Sequence, residues 1–165
     1  MMSKKSIIIL GLDPGTKRIG YGLIKKEKGK LEYLQSGLVK KVFSDKKDKH
    51  LLEIEKGLIK IIKKTKPNLV GIEKLYFSKN KKTALEVAQV RGIMLAVLAK
   101  LKIPFIEISP TQAKLASTGN GKASKKEVAK MVYLSLGLDR NSKKIDDVTD
   151  ALAIAIAASN KLLSI

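Results

Sequence analysis

The sequence contains no cysteine and only one histidine, His50. The absence of cysteine excludes disulfide bonds and thiolate metal sites. A single histidine argues against a histidine-rich metal site and against a Ser-His catalytic triad. If the protein binds a metal ion, the ligands are therefore oxygen atoms, and oxygen ligands favour Mg²⁺ or Mn²⁺.

The sequence also lacks a long apolar run. No segment approaches the roughly 20 apolar residues that a membrane span needs. The apolar run after Lys4 and Lys5 is interrupted by Asp13, and no small-residue cleavage site follows it. We therefore expect a soluble, cytoplasmic protein with no segment embedded in a membrane. A length of 165 residues, 44% of them hydrophobic, predicts a single domain over residues 1–165.

Acidic residues are scarce, with 15 Asp and Glu against 34 Lys and Arg, which gives a net charge of +19. A charge of this size favours a polyanionic partner, either nucleic acid or an acidic membrane. A lysine-rich genome is the alternative explanation of the same composition.

Apolar periodicity and turn residues predict the element order βββ-α-β-α-β-α-α-α. The fold class is α/β, with a mixed five-stranded sheet that starts as a three-stranded antiparallel meander and is flanked by helices. Strand one is expected to be central, with strand four beside it. The predicted strands are 6–12, 20–26, 31–42, 69–72 and 104–108, and the predicted helices are 46–64, 83–100, 110–116, 124–136 and 146–160.

The helix predicted at 83–100 is apolar on nearly all sides, which indicates burial on more than one face. It is either a central core helix or a helix that packs on the sheet with one face and on a second subunit with the other. Gly92 would allow a neighbouring backbone to approach closely. Two further local predictions are that Ser44 and Asp45 cap the helix at 46–64 and that residues 118–121 form a flexible loop.

Acidic residues stand beside apolar structure at three places. Asp13 and Glu73 each follow an apolar strand, and Asp147 and Asp150 share one face of the last helix. Asp146 also shares a face with Asp150, so the spacing leaves the choice between Asp146 and Asp147 open. Acidic residues at a helix N-terminus also stabilise the helix dipole, which would explain Asp146 but not Asp13.

Carboxylates gathered in one place repel one another unless a cation binds between them. Two divalent ions about 4 Å apart can stabilise the attacking and leaving oxygens of a phosphoryl displacement. A basic protein with an acidic metal pocket therefore has the composition of a nuclease.

Several segments, taken in order, resemble the RuvC-type Holliday junction resolvases, which are crossover junction endodeoxyribonucleases of the ribonuclease H-like superfamily. The resemblance is collinear over residues 7–158, and its specificity comes from the whole set, since other ribonuclease H-like proteins carry a similar first strand. The segments are Gly11-Leu12-Asp13-Pro14-Gly15, Gly20-Tyr21-Gly22, Ile72-Glu73-Lys74, Val87-Ala88-Gln89-Val90-Arg91-Gly92, Ser109-Pro110-Thr111-Gln112-Ala113-Lys114 and Asp147-Val148-Thr149-Asp150-Ala151-Leu152-Ala153-Ile154-Ala155.

The resemblance implies a ribonuclease H-like fold and a homodimer with two active sites. Each site would hold two Mg²⁺ ions, with Mn²⁺ as a substitute, and would cut one of two opposing strands of a four-way DNA junction. The products would carry a 5′-phosphate and a 3′-hydroxyl. The implied setting is homologous recombination and DNA repair, together with a branch-migration motor of the RuvA and RuvB type.

The resemblance also assigns residues. It implies four metal ligands and so selects Asp147 over Asp146, it makes Lys125 catalytic as well as DNA-binding, and it makes Tyr76 an aromatic that stacks near the crossover. The implied ligands are Asp13, Glu73, Asp147 and Asp150, and the implied DNA-binding residues are Tyr76, Lys114 and Lys125. Further predicted DNA-binding residues are Phe77 beside Tyr76, Lys79 and Lys82 in the same basic segment, and Lys122. The predicted dimer-interface residues lie on the helix that forms the interface in the family and are Val87, Val90, Arg91 and Met94.

Three alternatives remain at this point. One is a ribonuclease H-like nuclease with another substrate, such as RNA. Another is a non-catalytic nucleic-acid-binding protein that kept the fold. The last is a small-molecule kinase or sugar-binding protein of the actin-like group. Any single lysine in so basic a chain can also be an ordinary solvated surface residue, and one of Tyr76 and Phe77 can belong to the core.

Overall fold

A mixed five-stranded sheet is the centre of the fold. The structure is a computed structural model that describes residues 6–39, 45–76, 81–139 and 146–161, without the side chains of residues 81, 82, 146 and 147. The strand order is β3-β2-β1-β4-β5. The strands are β1 Ile7–Asp13, β2 Gly20–Glu27, β3 Lys30–Leu38, β4 Leu69–Glu73 and β5 Phe105–Ile108.

Strands β1 to β3 are antiparallel, and β4 runs parallel to both β1 and β5. The predicted meander, the central position of β1 and the place of β4 beside it are therefore confirmed. The first and fourth strands each extend one residue further than predicted, so that β1 ends on Asp13 and β4 ends on Glu73.

Helices cover both faces of the sheet. The helices are α1 Lys47–Thr65, α2 Lys81–Lys100, α3 Pro110–Thr118, α4 Lys125–Ser135 and α5 Asp146–Lys161. Leu10 and Leu12 of β1 pack with α1 and α2 on one face, and Ile9 packs with α4 and α5 on the other, as the alternation of side chains along a strand requires. Within the described residues, no helix is apolar and long enough to cross a bilayer.

Three glycines in neighbouring strands allow α5 to lie directly on the sheet. Gly11 is paired with Gly22 of β2 and with Gly71 of β4, so the three form a row across the sheet. A Cβ on Gly11 would overlap the carbonyl oxygen of Ala151, and a Cβ on Gly22 would lie 2.8 Å from the Leu152 backbone nitrogen. The glycine row therefore sets the distance between α5 and the sheet.

The N-terminus of helix α1 differs from its prediction. Its N-cap is Lys46, and no side chain caps it, so Asp45 is not the cap; Ser44 lies outside the described residues. Its buried side chains are Ile54, Leu58 and Ile62, whose spacing forms one stripe toward the sheet. Leu52 is also apolar but is 52% exposed, since it projects from the opposite side of the helix.

Helix α2 is buried on one face only. Val90, Met94 and Leu98 are buried between α2 and the sheet. Leu85 on the opposite face is 66% exposed, and a Cβ on Gly92 would meet nothing within 4 Å. The interpretation of α2 as a central core helix is therefore wrong, and the apolar residues of its outer face remain on the surface of this chain.

Strand β3 ends at Leu38, whereas the prediction extended it to residue 42. Residues 40–42 lie outside the described residues. Residues 118–121 were predicted to form a flexible loop, but local hydrogen bonds hold this part of the backbone. Thr118 Oγ1 accepts from the Asn120 backbone nitrogen at 3.0 Å, and Asn120 Oδ1 accepts from the Lys122 backbone nitrogen at 2.9 Å.

Candidate active site

The ends of β1 and β4 place two of the predicted ligands at one edge of the sheet. Leu12 and Ile72 are partners in the parallel ladder, so Asp13 and Glu73, which follow them, end adjacent strands. Side chains alternate between the two faces of a strand, which puts Asp13 on the same face as Gly11, the face that α5 covers. The same alternation from Gly71 puts Glu73 on that face.

Helix α5 brings Asp150 to this edge of the sheet. Its neighbour Ala151 lies against Gly11, which fixes the first turns of α5 above the end of β1. The Asp150 side chain is 33% exposed, and its Oδ2 atom lies 3.2 Å from the Nζ atom of Lys125. Three charged residues therefore come together above the sheet edge: Glu73 of β4, Asp150 of α5 and Lys125 of α4.

A capping box at the start of α4 holds Lys125 in place. The Ser124 side chain accepts from the Glu127 backbone nitrogen, and the Glu127 carboxylate accepts from the Ser124 backbone nitrogen at 2.6 Å. These two bonds satisfy backbone donors that a helix N-terminus leaves free. They also lower the pKa of Glu127, because they stabilise its ionised form. Lys125 follows the cap directly, so its backbone position is fixed although its side chain is 75% exposed.

The electrostatics of the site favour a cation. Burial raises the pKa of Glu73, the negative charge of Asp150 raises it further, and the positive charge of Lys125 lowers it. Glu73 and Asp150 are therefore close enough for their charges to repel. A divalent cation would relieve this repulsion, and carboxylate oxygens are the ligands that hard cations such as Mg²⁺ take.

The described side chains alone do not form a complete metal cage. Among them, no group of three Asp, Glu or His residues is arranged so that it could enclose an ion. The backbone of residues 146 and 147 begins α5, but the side chain of Asp147, the remaining predicted ligand, is outside the description. The carboxylate oxygens of Glu73 and Asp150, with Asp13 at the adjacent strand end, are nevertheless suitable ligands for a divalent cation.

Arg91 of α2 reaches the same part of the sheet from the opposite face. Its Nε atom donates to the backbone carbonyl of Glu73 at 3.2 Å, and its guanidinium group forms an ion pair with Glu107 of β5. Arg91 was predicted to lie in a dimer interface, but its side chain is only 16% exposed and points to the sheet. Glu107 was not selected from the sequence, although a charged residue inside an apolar strand could have indicated a partner.

The other predicted interface residues differ in accessibility. Val90 and Met94 are buried in the core, with exposures of 2% and 0%. Their side chains therefore leave no surface for a partner, which corrects that part of the prediction. Val87 is half-buried, and the exposed positions of α2 include Leu85, Gln89 and Ala96.

The predicted DNA-binding residues that are described lie on three parts of the chain and differ in exposure. Tyr76 is 56% exposed and follows the end of β4 by three residues. Lys114 is half-buried on α3, and Lys122 and Lys125 are exposed before and at the start of α4. Phe77 and Lys79 lie outside the described residues, as does the side chain of Lys82.

Comparison with known proteins identifies the family. The sequence model described as crossover junction endodeoxyribonuclease RuvC matches residues 9–158. The chain belongs to the RuvC family. The RuvC of Prochlorococcus marinus (strain MIT 9211) is 40% identical over 152 residues, which are 92% of this chain and 95% of that protein. The RuvC of Natranaerobius thermophilus is 39% identical over 153 residues, 93% and 94% of the respective chains.

Solved structures give the same result for the fold. The structure of Thermus thermophilus RuvC in complex with a Holliday junction substrate superposes with a TM-score of 0.85, at 26% identity, over 96% of this chain and 97% of that chain. The yeast mitochondrial Holliday junction resolvase Ydc2 superposes with a TM-score of 0.63, at 19% identity, over 90% of this chain and 77% of that chain. The fold of this RuvC family member is ribonuclease H-like, as predicted.

Proposed function

We propose that this protein is an endonuclease that resolves four-way DNA junctions by paired nicks in opposing strands, in homologous recombination and DNA repair. The observation that carries the proposal is the meeting of Glu73, Asp150 and Lys125 at the edge of the sheet where β1 ends on Asp13. Membership of the RuvC family supplies the substrate, since a relative has been solved with a Holliday junction bound.

Metal ions complete the proposed site. Asp13, Glu73, Asp147 and Asp150 would hold two Mg²⁺ ions, and Mn²⁺ would substitute for them. When bound, the ions would lower the pKa of a water nucleophile and neutralise the charge that develops on the phosphate. Attack of that water on phosphorus with cleavage of the P–O3′ bond would leave a 5′-phosphate and a 3′-hydroxyl. The two strands and α5 would fix the carboxylates relative to one another, because the glycine row seats α5 directly on the sheet.

Lys125 has a separate part in the proposed reaction. Its ammonium group lies at the edge of the carboxylate cluster on a well-exposed side chain. From that position it can donate to an oxygen of the phosphate that is cut, and so stabilise negative charge at the reacting centre. The capping box behind it keeps the start of α4 in place while DNA binds.

The lysines and Tyr76 would hold the junction. Lys79, Lys82, Lys114 and Lys122 contact backbone phosphates in this proposal, which gives the net charge of +19 a use on DNA. The exposed Tyr76, with Phe77 beside it, stacks on bases near the crossover, a contact worth about 1–3 kcal/mol per base in other proteins.

A homodimer would make the two nicks symmetric. The exposed apolar face of α2, with Leu85 and Ala96, is the surface that we propose a second copy covers. Val87 lies at the margin of this face.

Assembly with a branch-migration motor of the RuvA and RuvB type completes the proposal.

Cleavage of a synthetic mobile four-way junction tests this function. With Mg²⁺ present, we expect two nicks at symmetric positions in opposing strands, and no comparable cutting of a linear duplex of the same sequence. The Glu73→Gln variant serves as the inactive control, and junction binding is measured in parallel. Equal cutting of the linear duplex, or unpaired nicks, would contradict the proposal.

A further inference from the structure

Arg91 connects three elements behind the acidic site. Its Nε atom donates to the Glu73 carbonyl oxygen at the end of β4, and its guanidinium group pairs with the Glu107 carboxylate on β5. We propose that Arg91, oriented by Glu107, is a positioning residue that holds the end of β4 so that the Glu73 carboxylate meets its metal ion. This inference rests on the proposed function, because it assigns Glu73 the role of a metal ligand.

The two sides of the sheet separate Arg91 from the reaction. The Glu73 carboxylate faces α5, whereas Arg91 comes from α2 on the opposite face and touches the Glu73 residue through its backbone carbonyl. Along β5, Ile108 packs with α5, so Glu107 points to the α2 face and meets Arg91 there. In this arrangement Arg91 acts through the backbone of Glu73.

The end of β4 needs this support because the ladder ends there. Ile72 is paired with Glu107, Glu73 is paired with Ile108, and the next backbone bond runs from Lys74 to the Ile108 carbonyl at 2.8 Å. Residues 74–76 then have no regular secondary structure. Arg91 is the side chain that joins the final residue of β4 to both β5 and α2, which are fixed by their own packing.

Arginine suits this bridge better than lysine. A guanidinium group presents several N–H donors in a rigid plane, so it can serve a carbonyl and a carboxylate at the same time. A lysine ammonium is a compact charge on a flexible side chain, so it would not hold the carboxylate and the carbonyl in one fixed geometry. Removing a side chain that hydrogen-bonds to a metal-binding residue typically lowers metal affinity or activity by about 10–100-fold.

The test measures metal binding directly as well as cleavage. We compare wild type with Arg91→Gln, Arg91→Lys and Glu107→Ala, and we follow Mn²⁺ binding by electron paramagnetic resonance of the free ion. Junction cleavage is then measured as a function of Mg²⁺ concentration, with junction affinity and thermal stability recorded for each variant. Lys100→Gln is the matched control, since Lys100 is another cation of α2 that pairs with a carboxylate, Glu55, away from the site.

We expect Arg91→Gln to bind Mn²⁺ about 10–100-fold more weakly, to need correspondingly more Mg²⁺ for cleavage, and to bind the junction as wild type does. Arg91→Lys and Glu107→Ala should show the same change to a smaller extent, and Lys100→Gln should show none. If Arg91→Gln does not fold, Arg91→Lys and Glu107→Ala test the inference instead, because each keeps part of the bridge.

Two results would overturn the inference in distinguishable ways. Variants that are less stable than wild type but have its Mn²⁺ affinity and Mg²⁺ dependence would show that the bridge is only structural. In that case junction cleavage by the wild type would still support the proposed function. A wild type that neither binds Mn²⁺ nor cuts the junction would overturn the proposed function and this inference together.

Discussion

The Lys125 ammonium nitrogen lies 3.2 Å from Oδ2 of Asp150. The pair joins α4 to α5 beside Glu73, and its two members act on the pKa of Glu73 in opposite directions. The pKa of Glu73 therefore reports on the charges of both Lys125 and Asp150.

Removing either member of this pair should shift the pKa of Glu73 with a defined sign. Lys125→Gln removes the charge that lowers the pKa, so the pKa should rise; Asp150→Asn removes a charge that raises it, so the pKa should fall. Carboxyl-carbon NMR of the metal-free protein measures both shifts. Shifts of the same sign in the two variants would contradict this account of the site.

The acidic residues should be needed for cutting but not for binding. Asp13→Asn, Glu73→Gln and Asp150→Asn should each abolish cleavage of a four-way junction, because metal ligands are lost while the phosphate contacts of the lysines remain. Cleavage and gel-shift assays on the same junction separate the two effects. Glu32→Gln is the control, as Glu32 is an exposed acid of β3 that pairs with Lys25. An active Asp13→Asn variant would refute the proposed mechanism.

The glycine row should not tolerate a methyl group. Gly11→Ala places a Cβ against the Ala151 carbonyl oxygen, and Gly71→Ala places one 2.9 Å from the Ala158 Cβ. Overpacking of this kind typically costs about 1–3 kcal/mol of folding stability. Urea unfolding monitored by circular dichroism measures the loss. Gly92→Ala, on the open face of α2, should leave the free energy of unfolding unchanged or raise it by up to about 1 kcal/mol.

Junction affinity should depend steeply on salt. A protein that contacts about six to ten phosphates loses roughly 10³–10⁵ in affinity between about 50 and 200 mM salt. A fluorescence-anisotropy titration over this range gives the slope, and Lys114→Gln or Lys122→Gln should reduce it. A flat titration would show that the positive charge is not used on DNA.

The outer face of α2 should control the oligomeric state. Leu85→Lys replaces a residue that is 66% exposed, so the fold of the single chain should be kept while association weakens. Light scattering after gel filtration measures the mass, and the nicks on the junction should lose their symmetry. Leu134→Lys is the control, since Leu134 is 48% exposed on α4, on the other side of the sheet. An unchanged mass for Leu85→Lys would place the interface elsewhere.

The predictions that succeeded rest on local sequence. The apolar run before Asp13 and the shorter run before Glu73 define strands by composition alone, and a turn or irregular segment after each marks the strand end. The predicted start of a helix at Ser124 is equally local, since the two partners of the capping box found there are three residues apart. These features were sufficient to predict the sheet and to bring two carboxylates to the same edge.

The predictions that failed concern which apolar residue meets which neighbour. Leu85 and Val90 lie on the same helix with similar hydrophobicity, yet one is exposed and the other is buried, because the sheet covers a single face. The bridge from Arg91 to Glu107 depends on the packing of α2 over β4 and β5, which no spacing within either segment encodes. Sequence periodicity identifies elements, whereas such contacts depend on how the elements pack together.

The close seating of α5 on the glycine row has a consequence for the order of events during synthesis. Chains fold from the N-terminus as they leave the ribosome, so β1 and β4 emerge and can pair long before α5. The sheet edge then carries Asp13 and Glu73 but lacks Asp150 and the helix that positions it. Until α5 docks, a growing chain can attract DNA through its lysines but has no assembled centre with which to cut it.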